Sequence, residues 1–237
     1  MLLRLDKFLS DTGKASRREA KALLKAGRIT VDGVVCRAGD RKLDPQRETV
    51  CMDGEKLNFA VNRYFLLYKP LGVITATEDR EQKTVLDILP PELKRLGLFP
   101  VGRLDKDTSG LLLLTDDGDY AHKVISPKNH VPKVYLARVD RPLEAGDPLR
   151  FAEGITLADG TCCMPGKLEI LEPCLGRVTI HEGKYHQVRR MLAACGKHVI
   201  ALHRQSVGRL ALPENMEPGS VWELTADEAG QVFLQDD

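Results

Sequence analysis

The nine residues Gly102-Arg103-Leu104-Asp105-Lys106-Asp107-Thr108-Ser109-Gly110 hold two carboxylates, two cations and two hydroxyls, just ahead of four consecutive leucines. A charged loop feeding a buried strand is a common mounting for an active site, and its polar groups are denser than turn chemistry requires. In an extended segment Arg103 and Asp105 fall on one side. An ionised carboxylate so placed can serve as a nucleophile or as a general base. The spacing Asp105-x-Asp107-x-Ser109-Gly110, with Asp116 at the twelfth position, also mimics a calcium loop. Its flanks argue against that reading. Phe99-Pro100-Val101-Gly102 is a poor helix end, Leu111–Leu114 reads as a strand, and Asp116 is shorter than the usual bidentate Glu.

A second dense segment is Glu182-Gly183-Lys184-Tyr185-His186-Gln187-Val188-Arg189-Arg190-Met191. Val188, Met191 and Leu192 give it a helical core face, so Arg189 and Arg190 project elsewhere. For Arg190, a solvated surface role and a functional one both stay open. His181 and His186 are five apart across Gly183, which is not the spacing of a zinc-protease helix. The third segment is Lys133-Val134-Tyr135, where the tyrosine reads first as a core aromatic and second as a catalytic group.

Elements must hold these segments. Leu5, Phe8 and Leu9 share one helical face, Gly13 breaks the pattern, and Ser16 with Glu19 forms a capping box for a second helix that ends at Gly27. Arg17, Lys21 and Lys25 make one basic stripe on that helix. Ile29–Val31, Asp32-Gly33 and Val34–Cys36 read as a hairpin with a type I′ turn, and a strand at 49–52 ends at Asp53-Gly54. Residues 55–63 are polar and linker-like. Strands are then expected at 64–68, 111–114, 133–139 and 177–181, and helices at 84–89, 119–125 and 187–195, with a last helix capped by Thr225. Strands arrive in runs rather than in βαβ alternation, which predicts an α+β fold with a mixed or antiparallel sheet and flanking helices.

At 237 residues the chain suits one large or two modest domains. Hydrophobic residues make up 43% and charged residues 29%, an ordinary globular balance. No stretch has the length of a membrane span, and the charged start lacks a signal-peptide core, so a cytoplasmic protein is expected. The six cysteines include no CxxC pair, which fits incidental thiols in a reducing compartment. Residues 1–30 carry eight Lys/Arg against three acids on a chain whose net charge is only +1. A local excess of this kind points that segment toward an anionic partner.

Together the three dense segments resemble the pseudouridine synthases of the RsuA family. Gly102-Arg103-Leu104-Asp105-x-x-Thr108-x-Gly110 is similar to the family's catalytic motif, Lys133-x-Tyr135 to its tyrosine motif, and Glu182–Met191 to its basic motif. Lys69-Pro70-x-Gly72 resembles a segment near the start of its catalytic domain. Residues 1–60 resemble an S4 RNA-binding domain, leaving 61–237 as the catalytic domain. The resemblance implies isomerisation of a uridine in ribosomal RNA, with no cofactor and no metal, by a monomer acting on RNA or on a ribosomal assembly intermediate and binding no membrane. Asp105 would be the catalytic carboxylate, Arg189 its ion-pair partner, and Tyr135 the residue stacked on the target base. Arg103 would fill the space left by the flipped base. RNA contacts are expected from Arg17, Arg18, Lys21, Lys25, Arg28, Lys133 and Arg190. Similarity in the Ser126–Lys133 stretch implies small-subunit 16S rRNA. Large-subunit 23S rRNA, a non-catalytic assembly factor and a metal-dependent nuclease using Asp105 and Asp107 are the alternatives.

Overall fold

The computed structural model describes residues 2–12, 14–45, 47–57 and 62–234. The Gly13 break and the middle of the expected linker lie outside them. The chain divides into two compact units, one formed by Met1–Asn62 with Leu89–Leu98 and the other by Arg63–Ile88 with Phe99–Asp237.

In the first unit β1 (Leu3–Arg4) leads into α1 (Leu5–Asp11) and α2 (Arg17–Lys25), followed by β2 (Ile29–Val31), β3 (Val34–Val35), β4 (Lys42–Leu43), β5 (Val50–Met52) and β6 (Glu55–Lys56). The Ser16–Glu19 capping box is formed in full and fixes the start of α2. Asp32 and Gly33 both have positive φ, as do Asp53 and Gly54. Each pair therefore turns a hairpin in the I′ sense that matches strand twist, joining β2 to β3 and β5 to β6. Leu5, Phe8, Leu9, Leu24, Ile29 and Leu43 make the core. The polar stretch from 55 was expected as linker, yet Glu55–Lys56 pairs with β5, because the Asp53-Gly54 turn carries the ladder past it.

The second unit contains β7 (Tyr64–Lys69), β8 (Phe99–Val101), β9 (Thr108–Thr115), β10 (Lys133–Val139), β11 (Lys167–Glu172), β12 (Leu175–Ile180), β13 (Val199–Val207), β14 (Leu210–Ala211) and β15 (Val221–Leu224). They form one nine-stranded sheet in the order β11-β12-β10-β13-β9-β7-β15, with β14 and β8 paired to β13 and β9. The β13–β9 pair at its centre is parallel, and its neighbours are antiparallel. Leu111–Leu114 are all buried, as a central strand covered on both faces requires. Each such leucine contributes about 1.5–3 kcal/mol through burial. Tyr120 and Val124 of α4 (Gly118–Ile125) pack in one cluster with Leu111 and Leu113. The remaining helices are α5 (Asp147–Glu153), α6 (Gln187–Ala194) and α7 (Ala226–Gly230), with α3 (Pro91–Lys94) in the first unit. Thr225 caps α7 in a capping box with Glu228.

One expected helix, 84–89, does not form. The Asp87 carboxylate instead accepts from the Thr84 N–H and hydroxyl, closing a single turn. Pro90 then biases Leu89 away from helical backbone. Among the described residues no helix is long and apolar enough to cross a membrane.

Candidate active site

Leu104 anchors the loop that carries the chemistry. Its N–H donates to the Thr75 hydroxyl oxygen, and that hydroxyl donates to its carbonyl. The segment Lys69-Pro70-Leu71-Gly72 holds the next residues. The Gly72 N–H donates to the Lys106 carbonyl, and Lys69 Nζ donates to the carbonyls of Thr108 and Pro70. Lys69 is fully buried. Burial pushes its pKa down to about 8, against the opposing pull of Asp105 and Asp107.

So held, Asp105 keeps its side chain 30% exposed. It lies at a cavity of about 1050 Å³ with Arg103, Lys133, Tyr135, His186 and Arg204 in its lining. That volume leaves ample room for a nucleoside. Arg103 is exposed, and both it and Asp105 face this cavity, as their alternation predicts. Tyr135 is 8% exposed, so it is both a core aromatic and part of the cavity wall. Lys133 is buried in that wall, donates to the Val131 carbonyl, and is pushed down to about 8 by burial and then by Arg204. Its ammonium is therefore a group of the cavity wall and not a surface contact.

Arg189 does not pair with Asp105, contrary to expectation. Its guanidinium forms an ion pair of 2.8 Å with Asp107 and donates to the carbonyls of Asp107 and Val199. These bonds commit its reach to a residue two positions past Asp105. The neighbour of Asp105 is His186, with Nε2 3.4 Å from Oδ1. His186 precedes α6 in left-handed backbone and stacks on Tyr185, which is 75% exposed. Buried Glu182 shapes this approach by accepting from the N–H of Met164 and from Gln187 and Lys184. Burial raises the Glu182 pKa, but these partners outweigh it and leave the carboxyl below its usual range. Arg190 is half-buried, pairs with Asp159 at 2.5 Å and donates to the Tyr185 carbonyl.

In the first unit Arg17, Arg18, Lys21 and Lys25 are exposed and have no ion-pair partner among the described residues, whereas Arg28 pairs bidentately with Asp53.

Sequence reasoning missed Arg204, Lys69 and His186. The pairing of β9 with β13 explains Arg204. Gly110 (φ +113°) lies opposite it, and a Cβ there would sit 2.2 Å from the Arg204 carbonyl oxygen. Only glycine lets the two backbones approach so closely. Gly110→Ala is therefore expected to destabilise the unit by about 3–5 kcal/mol and to displace Arg204 from the cavity. Chemical denaturation checks the first effect and enzyme assay at low temperature the second; a stability change within experimental error would contradict this account.

The sequence profile described as RNA pseudouridylate synthase matches residues 63–194, and that of the S4 domain matches residues 3–46. The chain is 43% identical over 232 residues to the ribosomal small subunit pseudouridine synthase A of Yersinia pestis, covering 97% of this chain and 98% of that one. It is 40% identical over 232 residues to the enzyme of that name from Escherichia coli (strain K12), covering 97% and 100%. It is 42% identical over 230 residues to the uncharacterized RNA pseudouridine synthase YtzG of Bacillus subtilis (strain 168), covering 95% and 96%. A crystal structure of a pseudouridylate synthase superposes with a TM-score of 0.69 at 35% identity, covering 97% of this chain and 99% of its own.

Proposed function

The chain belongs to the RNA pseudouridylate synthase family, and on that premise we propose that it isomerises one uridine of small-subunit 16S ribosomal RNA to pseudouridine. The observation that carries this reading is a partly exposed carboxylate, Asp105, at a cavity with room for a nucleoside that Tyr135, Arg103 and the buried cations Lys133 and Arg204 also line. The full-length likeness to small-subunit enzymes supports the choice of RNA.

In this reading the target uridine leaves its stack at a cost of a few kcal/mol and enters the cavity. Arg103, exposed at the rim, takes the vacated place. The Tyr135 ring packs on the base. Asp105 either attacks C1′ or removes the 2′ proton, and in both routes the bond from N1 to C1′ breaks and C5 forms the new one. Arg189 fixes the loop through Asp107, while His186 is the side chain that faces Asp105. In this reading the enzyme works as a single chain. The basic face of α2 holds the RNA backbone, and the reaction takes place in the cytoplasm on ribosomal RNA or an assembly intermediate.

The test is pseudouridine mapping of ribosomal RNA from cells lacking the protein, with and without the restored gene. One small-subunit uridine should escape modification and regain it on restoration. An unchanged small-subunit map would overturn the proposal, and loss of a large-subunit site would redirect it to 23S rRNA.

A further inference from the structure

Arg204 is 4% exposed and lines the same cavity as Asp105 and Tyr135. Its Nε donates to the Leu111 carbonyl at 2.8 Å, and its Nη1 lies 3.5 Å from the Tyr135 hydroxyl. Its guanidinium carbon is 6.0 Å from the centre of the Tyr135 ring. No carboxylate lies within 4 Å of it among the described residues, and three of its five N–H groups have no protein acceptor there. A buried cation without a counter-ion is costly. Two further buried ammonium groups, Lys69 and Lys133, feel its charge, which adds to their lowered pKa values. Arg204 and Lys133 line the cavity, Lys69 is buried against the Thr108 carbonyl, and Asp107 is committed to Arg189, so these cations favour negative charge on whatever the cavity holds.

The isomerisation produces such a charge. When N1–C1′ breaks, its electron pair leaves with the uracil, which then carries one negative charge spread over N1, O2 and O4. This is true whether Asp105 attacks C1′ or removes the 2′ proton. The charge disappears when C5 bonds to C1′, after which C5 loses its proton and N1 gains one, so the overall change is an isomerisation. We propose that Arg204 is a catalytic residue that stabilises the detached uracil anion, its free N–H groups donating to the base oxygens while its Nη1 holds the Tyr135 hydroxyl. The inference rests on the uridine-to-pseudouridine reading and extends it to the fate of the leaving base. A preorganised donor in a dry site acts where charge develops and so lowers the barrier more than it strengthens ground-state binding.

The experiment compares the protein and Arg204→Gln on 16S rRNA transcripts made with uridine or with 5-fluorouridine throughout. Fluorine withdraws electrons and makes the detached base a weaker base, so that its departure needs less help. The readout is the single-turnover loss of the N1-linked nucleoside at the target, because C5 of the fluorinated base has no proton to release. Arg204→Gln should slow the uridine reaction by on the order of 10²–10³. On the fluorinated RNA the loss should be about tenfold smaller, while Arg204→Lys, which keeps the charge, should recover part of the rate. The ratio of the two rates is independent of the fraction of protein folded, so poor folding of the variant would not obscure it. A ratio unchanged by the substitution would overturn the role of Arg204 and leave the assigned reaction intact. Absence of reaction by the unsubstituted protein on the uridine transcript, both free and assembled with small-subunit proteins, would overturn the assigned reaction itself, and this inference with it.

Discussion

Asp105→Asn should fold and bind RNA like the unsubstituted protein and make no detectable pseudouridine. The amide has the shape of the carboxylate but neither its charge nor its basicity, so it can neither attack C1′ nor accept the 2′ proton. Loss of a nucleophile or its base commonly costs on the order of 10⁴ or more in rate. Folding should be nearly unaffected. The side chain is 30% exposed, and His186 Nε2 lies 3.4 Å from it. Such a contact near the surface contributes about 0–1 kcal/mol. The contrast is Asp107→Asn, which breaks the 2.8 Å pair with Arg189 but leaves the cavity carboxylate in place. It should loosen the loop and reduce activity far less than Asp105→Asn does. Single-turnover pseudouridine formation on 16S rRNA, with thermal unfolding as control, separates the two. Product at the ordinary rate from Asp105→Asn would remove the central assignment, and equal losses from both variants would mean that the loop responds as one unit.

Local signals in the chain specify local structure well. The Ser16–Glu19 box, the Asp32-Gly33 hairpin turn and the alternation of 133–139 each appear in the structure as read. They are legible because each one satisfies its own backbone groups within a few residues. The central strand β13 was not legible. Its run Val199-Ile200-Ala201-Leu202-His203-Arg204-Gln205-Ser206-Val207 mixes polar and apolar residues without clean alternation, and its central place comes from pairing with β10 and β9, which are distant in sequence. Arg204 was lost with it. Lys69 looked like the end of a strand, and its role depends on a carbonyl 39 residues away. The ion pair expected between Arg189 and Asp105 failed for a related reason. Motif similarity brings the loop and α6 together but does not say which of two carboxylates, Asp105 or Asp107, turns toward the arginine.

Replacing Arg17, Lys21 and Lys25 together with Gln should weaken RNA binding steeply at low salt and leave the fold intact. All three are exposed on α2 without an ion-pair partner among the described residues. Arg17 is the first residue after the Ser16 cap, where the helix dipole disfavours a cation, and the stripe repels itself at i, i+4 spacing. Neutralising it should therefore hold stability steady or raise it by a few tenths of a kcal/mol. A stripe that costs the helix stability needs an anion to offset it, and an RNA backbone does so with release of counterions. Each phosphate no longer neutralised should lower the slope of log affinity against log salt by about 0.7–0.9. For three phosphates, the unsubstituted protein should lose about 20- to 40-fold more affinity than the variant between 50 and 200 mM salt. Arg28→Gln is the comparison, because its guanidinium already has Asp53 as a partner, and it should change the slope little. If the stripe supplies binding common to substrate and transition state, KM for RNA should rise and kcat should hold. An identical salt slope for the triple variant would mean that these three cations face only solvent, and a fall in kcat at saturating RNA would mean that the helix does more than hold the backbone.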